Sequence, residues 1–257
     1  MSQDSRGDPV LAALVAEAAT DPETLGLLLS GSRGAGSADK HSDYDIVWVL
    51  TDAAYGRRGE PELVRRRDAG RPPVDLIYTC PANLARLAAE PSWQTFGYAT
   101  ARVLLDKTGE LARALDLIAT MPEEKARADA PAWFGAYLNA FYRSLKAWRR
   151  GDELGARLQA AESAMHLIRA LFSLERRWPP YHDRLAQYLV TLDGQGWPPE
   201  LLRKSLLDLV RTGDPTLQQE LEAQVEALMR ARGFGYVVDG WGGEIERVKV
   251  WRFDSSR

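Results

Sequence analysis

Apolar positions along the first half of the chain fall into short runs separated by polar, Gly- and Pro-containing stretches. Residues 25–29 (LGLLL), 44–50 (YDIVWVL), 74–80 (VDLIYTC) and 101–105 (ARVLL) each have the length and apolar content of a strand, and 44–50 and 74–80 add β-branched and aromatic residues. Between them the spacing changes to helical. Residues 9–19 predict a helix with Asp8 as N-cap and Pro9 at its first position. Pro81 opens another that ends before Pro91, and residues 109–119 a further one. Residues 60–68 also read as an exposed helix, with the Arg65-Arg66-Arg67 run as its solvated face.

After Pro122 the strand signal disappears. In residues 132–150, Phe134, Leu138, Phe141, Leu145 and Trp148 recur at spacings of three and four. In residues 152–176, Leu154, Leu158, Ala161, Met165, Ile168 and Phe172 do the same and predict the buried stripe of a second helix. Further helices fit residues 183–192, 198–211 and 214–232. The closing GEIERVKVWRF alternates weakly and reads as a strand or an ordered tail. The expected fold is an α/β (α+β) domain with a small mixed sheet over residues 1–122. An all-α helical-bundle domain with a C-terminal tail follows over residues 123–257.

Composition narrows the function. The chain of 257 residues is 45% hydrophobic and carries a formal net charge of −3. That disfavours an extended nucleic-acid footprint, which is normally basic. Residues 1–120 hold 13 Lys and Arg against 17 Asp and Glu, a balance that suits metal ions and cationic small molecules. Cys80 is the single cysteine, so no intrachain disulfide can form. The N-terminus lacks a basic region followed by an apolar core, and no apolar run approaches the ~18–20 residues of a membrane span. The expected location is the cytoplasm.

The candidate chemistry begins with acids in a strand that should be buried. Asp43 and Asp45 are two residues apart and therefore share one face with Val47, while Tyr44, Ile46 and Trp48 take the other. Asp75 opens the 74–80 strand in the same way. If these strands are neighbours, three carboxylates converge at one end of the sheet, an arrangement that needs a cation to neutralise it. An all-oxygen donor set suits Mg²⁺, and two such ions ~3.5–4 Å apart can clamp the attacking and leaving oxygens of a phosphoryl displacement. His41, His166 and His182 have no metal-ligand spacing.

Before the acids lies SGSRGAGS, in which Gly31, Gly34 and Gly36 allow close backbone approach and Ser32 offers a hydroxyl. It is neither a Walker loop, since Ser37 stands where Lys is needed, nor the dinucleotide pattern, since the order is G-x-x-G-x-G. Arg33 and Lys40 are within reach of a phosphate or are ordinary solvated loop charges.

Gly31-Ser32, a spacer, Ser42-Asp43-Tyr44-Asp45-Ile46 and Asp75 on a later strand together resemble the nucleotidyltransferase superfamily of DNA polymerase β. With a helical domain following, the chain is most similar to the antibiotic (aminoglycoside-type) nucleotidyltransferases. The resemblance implies that Gly31 and Ser32 hold the triphosphate of ATP or another NTP, and that Asp43 and Asp45 ligate Mg²⁺; Arg33, from the loop itself, is a further candidate for binding the nucleotide. It further implies that Asp75 completes the metal site or accepts the proton of the attacking hydroxyl. The reaction would move a nucleoside monophosphate to a hydroxyl of a small acceptor and release pyrophosphate, and the acidic N-terminal half fits a cationic acceptor.

In the helical half, Asn139, Tyr142 and Lys146 form one polar line beside an apolar stripe, and Glu162, His166 and Arg169 form another. Lys146 or Arg169 could neutralise the β- and γ-phosphates. Glu162, with Tyr142, could bind the acceptor or serve as base; both lines also fit the ordinary borders of amphipathic helices. Trp178 and Tyr181 could stack on a base or sugar. Two other functions stay open: nucleotidylation of a protein or RNA acceptor, as in antitoxin-type relatives, and non-catalytic nucleotide binding on the same fold.

Overall fold

The structure is a computed structural model that describes residues 7–58, 63–66, 72–192, 196 and 199–253. The chain divides into two compact units, Met1–Thr120 and Met121–Arg257. The first is α/β and the second, among the described residues, is all helical.

The first unit opens with α1 (Pro9–Thr20), where Asp8 Oδ1 accepts from the amides of Val10 at 2.9 Å and Leu11 at 3.3 Å. Then come β1 (Thr24–Leu29), a single helical turn α2 (Gly31–Gly34), β2 (Tyr44–Leu50), α3 (Asp52–Arg57) and β3 (Leu63–Arg66). The unit continues with β4 (Val74–Thr79), α4 (Pro81–Ala89), α5 (Thr95–Ala99), β5 (Arg102–Asp106) and α6 (Leu111–Ala119).

The five strands form one mixed sheet in the order β3-β4-β2-β1-β5. β2 and β4 are parallel, and the other pairings are antiparallel. One face carries Leu27, Leu29, Ile46, Trp48 and Leu76 against Leu11, Leu14, Val15 and Ala18 of α1. The opposite face carries Leu28, Val47 and Val49 against Leu84 of α4 and Leu111, Leu115 and Ile118 of α6. Alternation along β2 thus buries both faces, and Asp45 lies on the second.

The expected helix over 60–68 is not what forms. Residues 63–66 are the edge strand β3; the remainder of that stretch lies outside the described residues. Leu63-Val64-Arg65-Arg66 has too little apolar content to reveal a strand. Pairing with β4 supplies what local propensity does not.

The second unit is built on α7 (Glu123–Arg149) and α8 (Glu153–Leu174). A 3₁₀ turn (His182–Arg184) and α9 (Leu185–Leu189) follow, then α10 (Pro199–Thr212), α11 (Pro215–Ala231), α12 (Tyr236–Asp239) and α13 (Gly243–Lys249). Phe134, Leu138, Phe141 and Leu145 of α7 are buried together with Leu167, Leu171 and Phe172 of α8. α7 starts before the expected residue 132 and runs through Pro131.

Two expectations in this half are corrected. The predicted stripe of α8 holds at its C-terminal end, where Ile168 and Phe172 are buried, and fails before it, because Leu154 is 71% and Leu158 61% exposed, and Met165 is exposed too. The buried face reads Ala156, Ala160, Ser163, Ala164, Leu167 and Leu171. Small residues bring α8 close to α7, where the buried Ser144 hydroxyl donates to the carbonyl of Ala156 at 2.7 Å. The C-terminal GEIERVK is the helix α13, neither strand nor tail: Ile245 and Val248, three apart, are its buried face. No helix among the described residues is long and apolar enough to cross a membrane.

Candidate metal and phosphate site

The parallel pairing of β2 with β4 sets Asp45 directly opposite Asp75, and the antiparallel pairing of β3 with β4 sets Arg65 opposite Asp75. One row across the sheet therefore reads Arg65, Asp75, Asp45. Asp43 sits two residues before Asp45 and so points to the same side. Each of the three aspartates offers a carboxylate oxygen within 4.8 Å of the others.

Such a cluster is electrostatically costly. Asp75 is 6% exposed. Burial, then the neighbouring charges of Asp43 and Asp75, push the Asp45 carboxyl up to about 6, with Arg65 pulling the other way. Arg65 is the one internal compensation visible among the described residues. Its Nε and Nη2 donate separately to the two oxygens of Asp75, and Nη2 lies 3.7 Å from Asp43 Oδ2. Asp75 in turn raises the affinity of the guanidinium for its proton. Arg65 and Arg66 are exposed, as expected of the RRR run, yet Arg65 also belongs to the acidic site and Arg66 pairs with Glu17 at 3.0 Å. A sequence signal for Arg65 existed only in register, which no local pattern encodes.

The loop meets the acids through Gly31. It has φ +60°, and a Cβ there would overlap Oδ2 and Cγ of Asp45. The Ser30 amide donates to the Asp45 carbonyl at 2.8 Å. Ser30 also takes the N-cap position of α2, its carbonyl accepting from the Gly34 amide at 2.9 Å. The first amides of a helical turn have no partner inside it, and this turn begins at Gly31, against Asp45.

Arg33 has a role that its position in the loop did not suggest. Its Nε donates to the Asp43 carbonyl and its Nη2 to the Ser42 carbonyl, both at 2.9 Å, while the guanidinium covers the Tyr44 ring at 4.0 Å. The Tyr44 hydroxyl donates to Asp8 Oδ2 at 2.7 Å. Arg33 thus clamps the backbone of the Asp43-Tyr44-Asp45 segment to the loop. Farther along β4, Ile77 and Thr79, with Tyr55, Asn83, Leu84 and Tyr98, line a cavity of about 230 Å³.

The residues singled out in the helical half fall into two groups within the second unit. Lys146 Nζ lies 4.9 Å from the Tyr142 ring centre, and the Tyr142 hydroxyl donates to Glu244 Oε2 at 3.1 Å. Arg169 lies over the Trp133 ring at 4.6 Å, and Trp133 stacks on His166. Glu162 accepts from Gln159 at 2.8 Å and stands 3.7 Å from His166 Nε2. Burial holds the imidazole of His166 below its ordinary range. Trp178 is buried and Tyr181 exposed.

Residues 91–184 match the family model described as "Domain of unknown function (DUF4037)", which covers less than half of the chain and crosses the boundary between the units. No curated protein matches the chain. Among solved structures, the chain is similar to a nucleotidyltransferase-like protein from Exiguobacterium sibiricum 255-15, at 15% identity and a TM-score of 0.47 over 92% of this chain and 76% of that one. The functional argument therefore rests on the site itself.

Proposed function

We propose that the protein is a Mg²⁺-dependent nucleotidyltransferase that moves a nucleoside monophosphate, AMP from ATP being the first candidate, to a hydroxyl of a small molecule. The observation that carries the reading is the approach of Asp43, Asp45 and Asp75 to within 4.8 Å, with the Gly31 backbone against Asp45.

The donor set fits the ion. Three carboxylates and no nitrogen or sulfur ligand suit a hard divalent cation, and burial, with the neighbouring Asp43 and Asp75, raises the Asp45 carboxyl to about 6 against the pull of Arg65. When bound, Mg²⁺ supplies charge neutralisation at the phosphates and polarisation of the attacking and leaving oxygens. The chain's own residues do the rest by positioning. Gly31 and Ser32 would receive the triphosphate through backbone amides and a hydroxyl. Arg33 keeps Asp43 and Asp45 in line by holding the carbonyls of Ser42 and Asp43. The acceptor hydroxyl attacks the α-phosphorus, the bond from that phosphorus to the pyrophosphate oxygen breaks, and the hydroxyl proton passes to a carboxylate of the cluster, Asp75 being the candidate. Holding the partners in line replaces most covalent work.

The acidic balance of residues 1–120 favours a cationic acceptor of aminoglycoside type.

The test is pyrophosphate release from ATP and Mg²⁺ across a panel of aminoglycosides and other hydroxylated amines, with labelling by radioactive ATP to reveal a protein or RNA acceptor. The metal ligands supply several kcal/mol of transition-state stabilisation, so Asp45→Asn is expected to lower turnover about a thousand-fold or more. Unchanged turnover in that variant would refute the assigned metal role. Nucleotide binding without turnover for any acceptor would favour the non-catalytic reading.

A further inference from the structure

We propose that Arg65 is the resident counter-cation of the aspartate triad and that a divalent cation has to displace it before all three carboxylates can act as ligands. The inference rests on the metal-dependent reading of the site and adds a control on its loading.

Arg65 and Asp75 form a fork, one guanidinium nitrogen to each carboxylate oxygen. A bidentate pair of this kind takes up the same in-plane oxygen positions that a cation would use. The guanidinium also stands 3.7 Å from Asp43 Oδ2, so it touches two of the three acids at once. Asp75 is 6% exposed and would otherwise be a buried carboxylate beside two more.

Arg65 differs from its partner in exposure. Its side chain is 43% exposed, whereas that of Asp75 is 8% exposed. β3 is an edge strand of four residues, and its Leu63 is half exposed. The guanidinium can therefore swing into solvent without opening either sheet face. The acid stays and the base leaves, which is the asymmetry required of a replaceable counter-ion. Arg65 is accordingly a positioning residue: in the metal-free protein it stabilises the cluster, and it sets the cation concentration at which Asp75 is released.

Mn²⁺ titration of the intact protein, followed by electron paramagnetic resonance and by calorimetry, tests this with wild type, Arg65→Gln, Arg65→Lys and Asp45→Asn. Removing a charge-assisted pair that competes with the ion is expected to tighten Mn²⁺ binding about ten-fold in Arg65→Gln. Arg65→Lys, which keeps the charge but cannot form the fork, should fall between that variant and wild type. Without cation, Arg65→Gln should melt below wild type, and Mn²⁺ should restore the difference. Unchanged or weaker Mn²⁺ binding in Arg65→Gln overturns the proposal while leaving the metal site standing. If Arg65→Gln does not fold, Arg65→Lys decides, and a lysine variant no tighter than wild type overturns it. Absence of any saturable Mn²⁺ binding that Asp45→Asn removes refutes the metal reading and the proposal with it.

Discussion

A Cβ on Gly31 would lie on top of Asp45 Oδ2, and the residue's φ of +60° is a conformation that L side chains rarely adopt. Both facts make Gly31 a consequence of Asp45 being where it is. Gly31→Ala is expected to cost about 1–3 kcal/mol in urea unfolding and to weaken Mn²⁺ binding by moving Asp45. Asp45 is itself held against an electrostatic gradient, its carboxyl raised to about 6 by burial and by Asp43 and Asp75. Asp45→Asn should therefore melt at or above the wild-type temperature while turnover falls, a combination that separates a site residue from a structural one. At this scale much was legible: Gly31, Asp43, Asp45 and Asp75 carry their chemistry in type and spacing. Arg65 was not, because its meaning comes from the residue across the strand.

Among the elements, α8 shows how a regular pattern misleads. Leucines and methionine at helical spacing mark one stripe, but the face that packs on α7 is made of Ala156, Ala160, Ser163 and Ala164. Where two long helices approach closely, small residues are needed at the contact, and here they occupy the N-terminal half of the buried face while Leu167, Leu171 and Phe172 fill the core in the other half. Ala160→Leu should cost about 1–3 kcal/mol by overpacking. Leu158→Ser, on the exposed face, should change stability by less than about 0.5 kcal/mol. Urea midpoints of the two variants decide between the stripes, and a reversed order would return the leucine stripe to the core. β3 makes the complementary point: Leu63–Arg66 has no strand signature, and its hydrogen-bonding partner β4 imposes the conformation.

For the whole molecule, burial is organised around separate cores in the two units, two sheet faces in the first and the α7–α8 assembly in the second. The second core contains a charge. Glu222 of α11 is fully buried, neither of its carboxylate oxygens has a hydrogen-bond partner, and Lys249 Nζ of α13 stands 3.3 Å away. Lys249 also pairs with Glu226 and, at 2.9 Å, with Glu246, which ties α13 to α11. Burial pushes the Glu222 carboxyl up from 4.5 to about 7 despite that lysine. The unfolded chain gives up this proton near 4.5, while the folded chain keeps it to about 7. Between those values the folded state binds more protons, so stability falls as pH rises, and the loss is complete above about 7. Urea unfolding between pH 4.5 and 8 should show the decline in wild type and a flatter profile in Glu222→Gln, with roughly 3 kcal/mol as the ceiling of the difference. Parallel profiles would remove Glu222 from the account.

The four apolar strands, the longer helices, the change among the described residues to all-helical structure beyond Pro122, and the three aspartates beside a glycine loop were determined by the sequence alone, whereas β3 and the closing helix α13 were not. Those features are local: strand period, helix spacing, capping residues and side-chain type act over a few positions. Tertiary structure decided which strands are neighbours, that Asp45 and Asp75 share a register with Arg65, which face of α8 is buried, and that the chain's last helix closes over Glu222 through Lys249. The reason is that hydrogen-bond register, close packing and the desolvation of a charge are properties of pairs of residues distant in the chain.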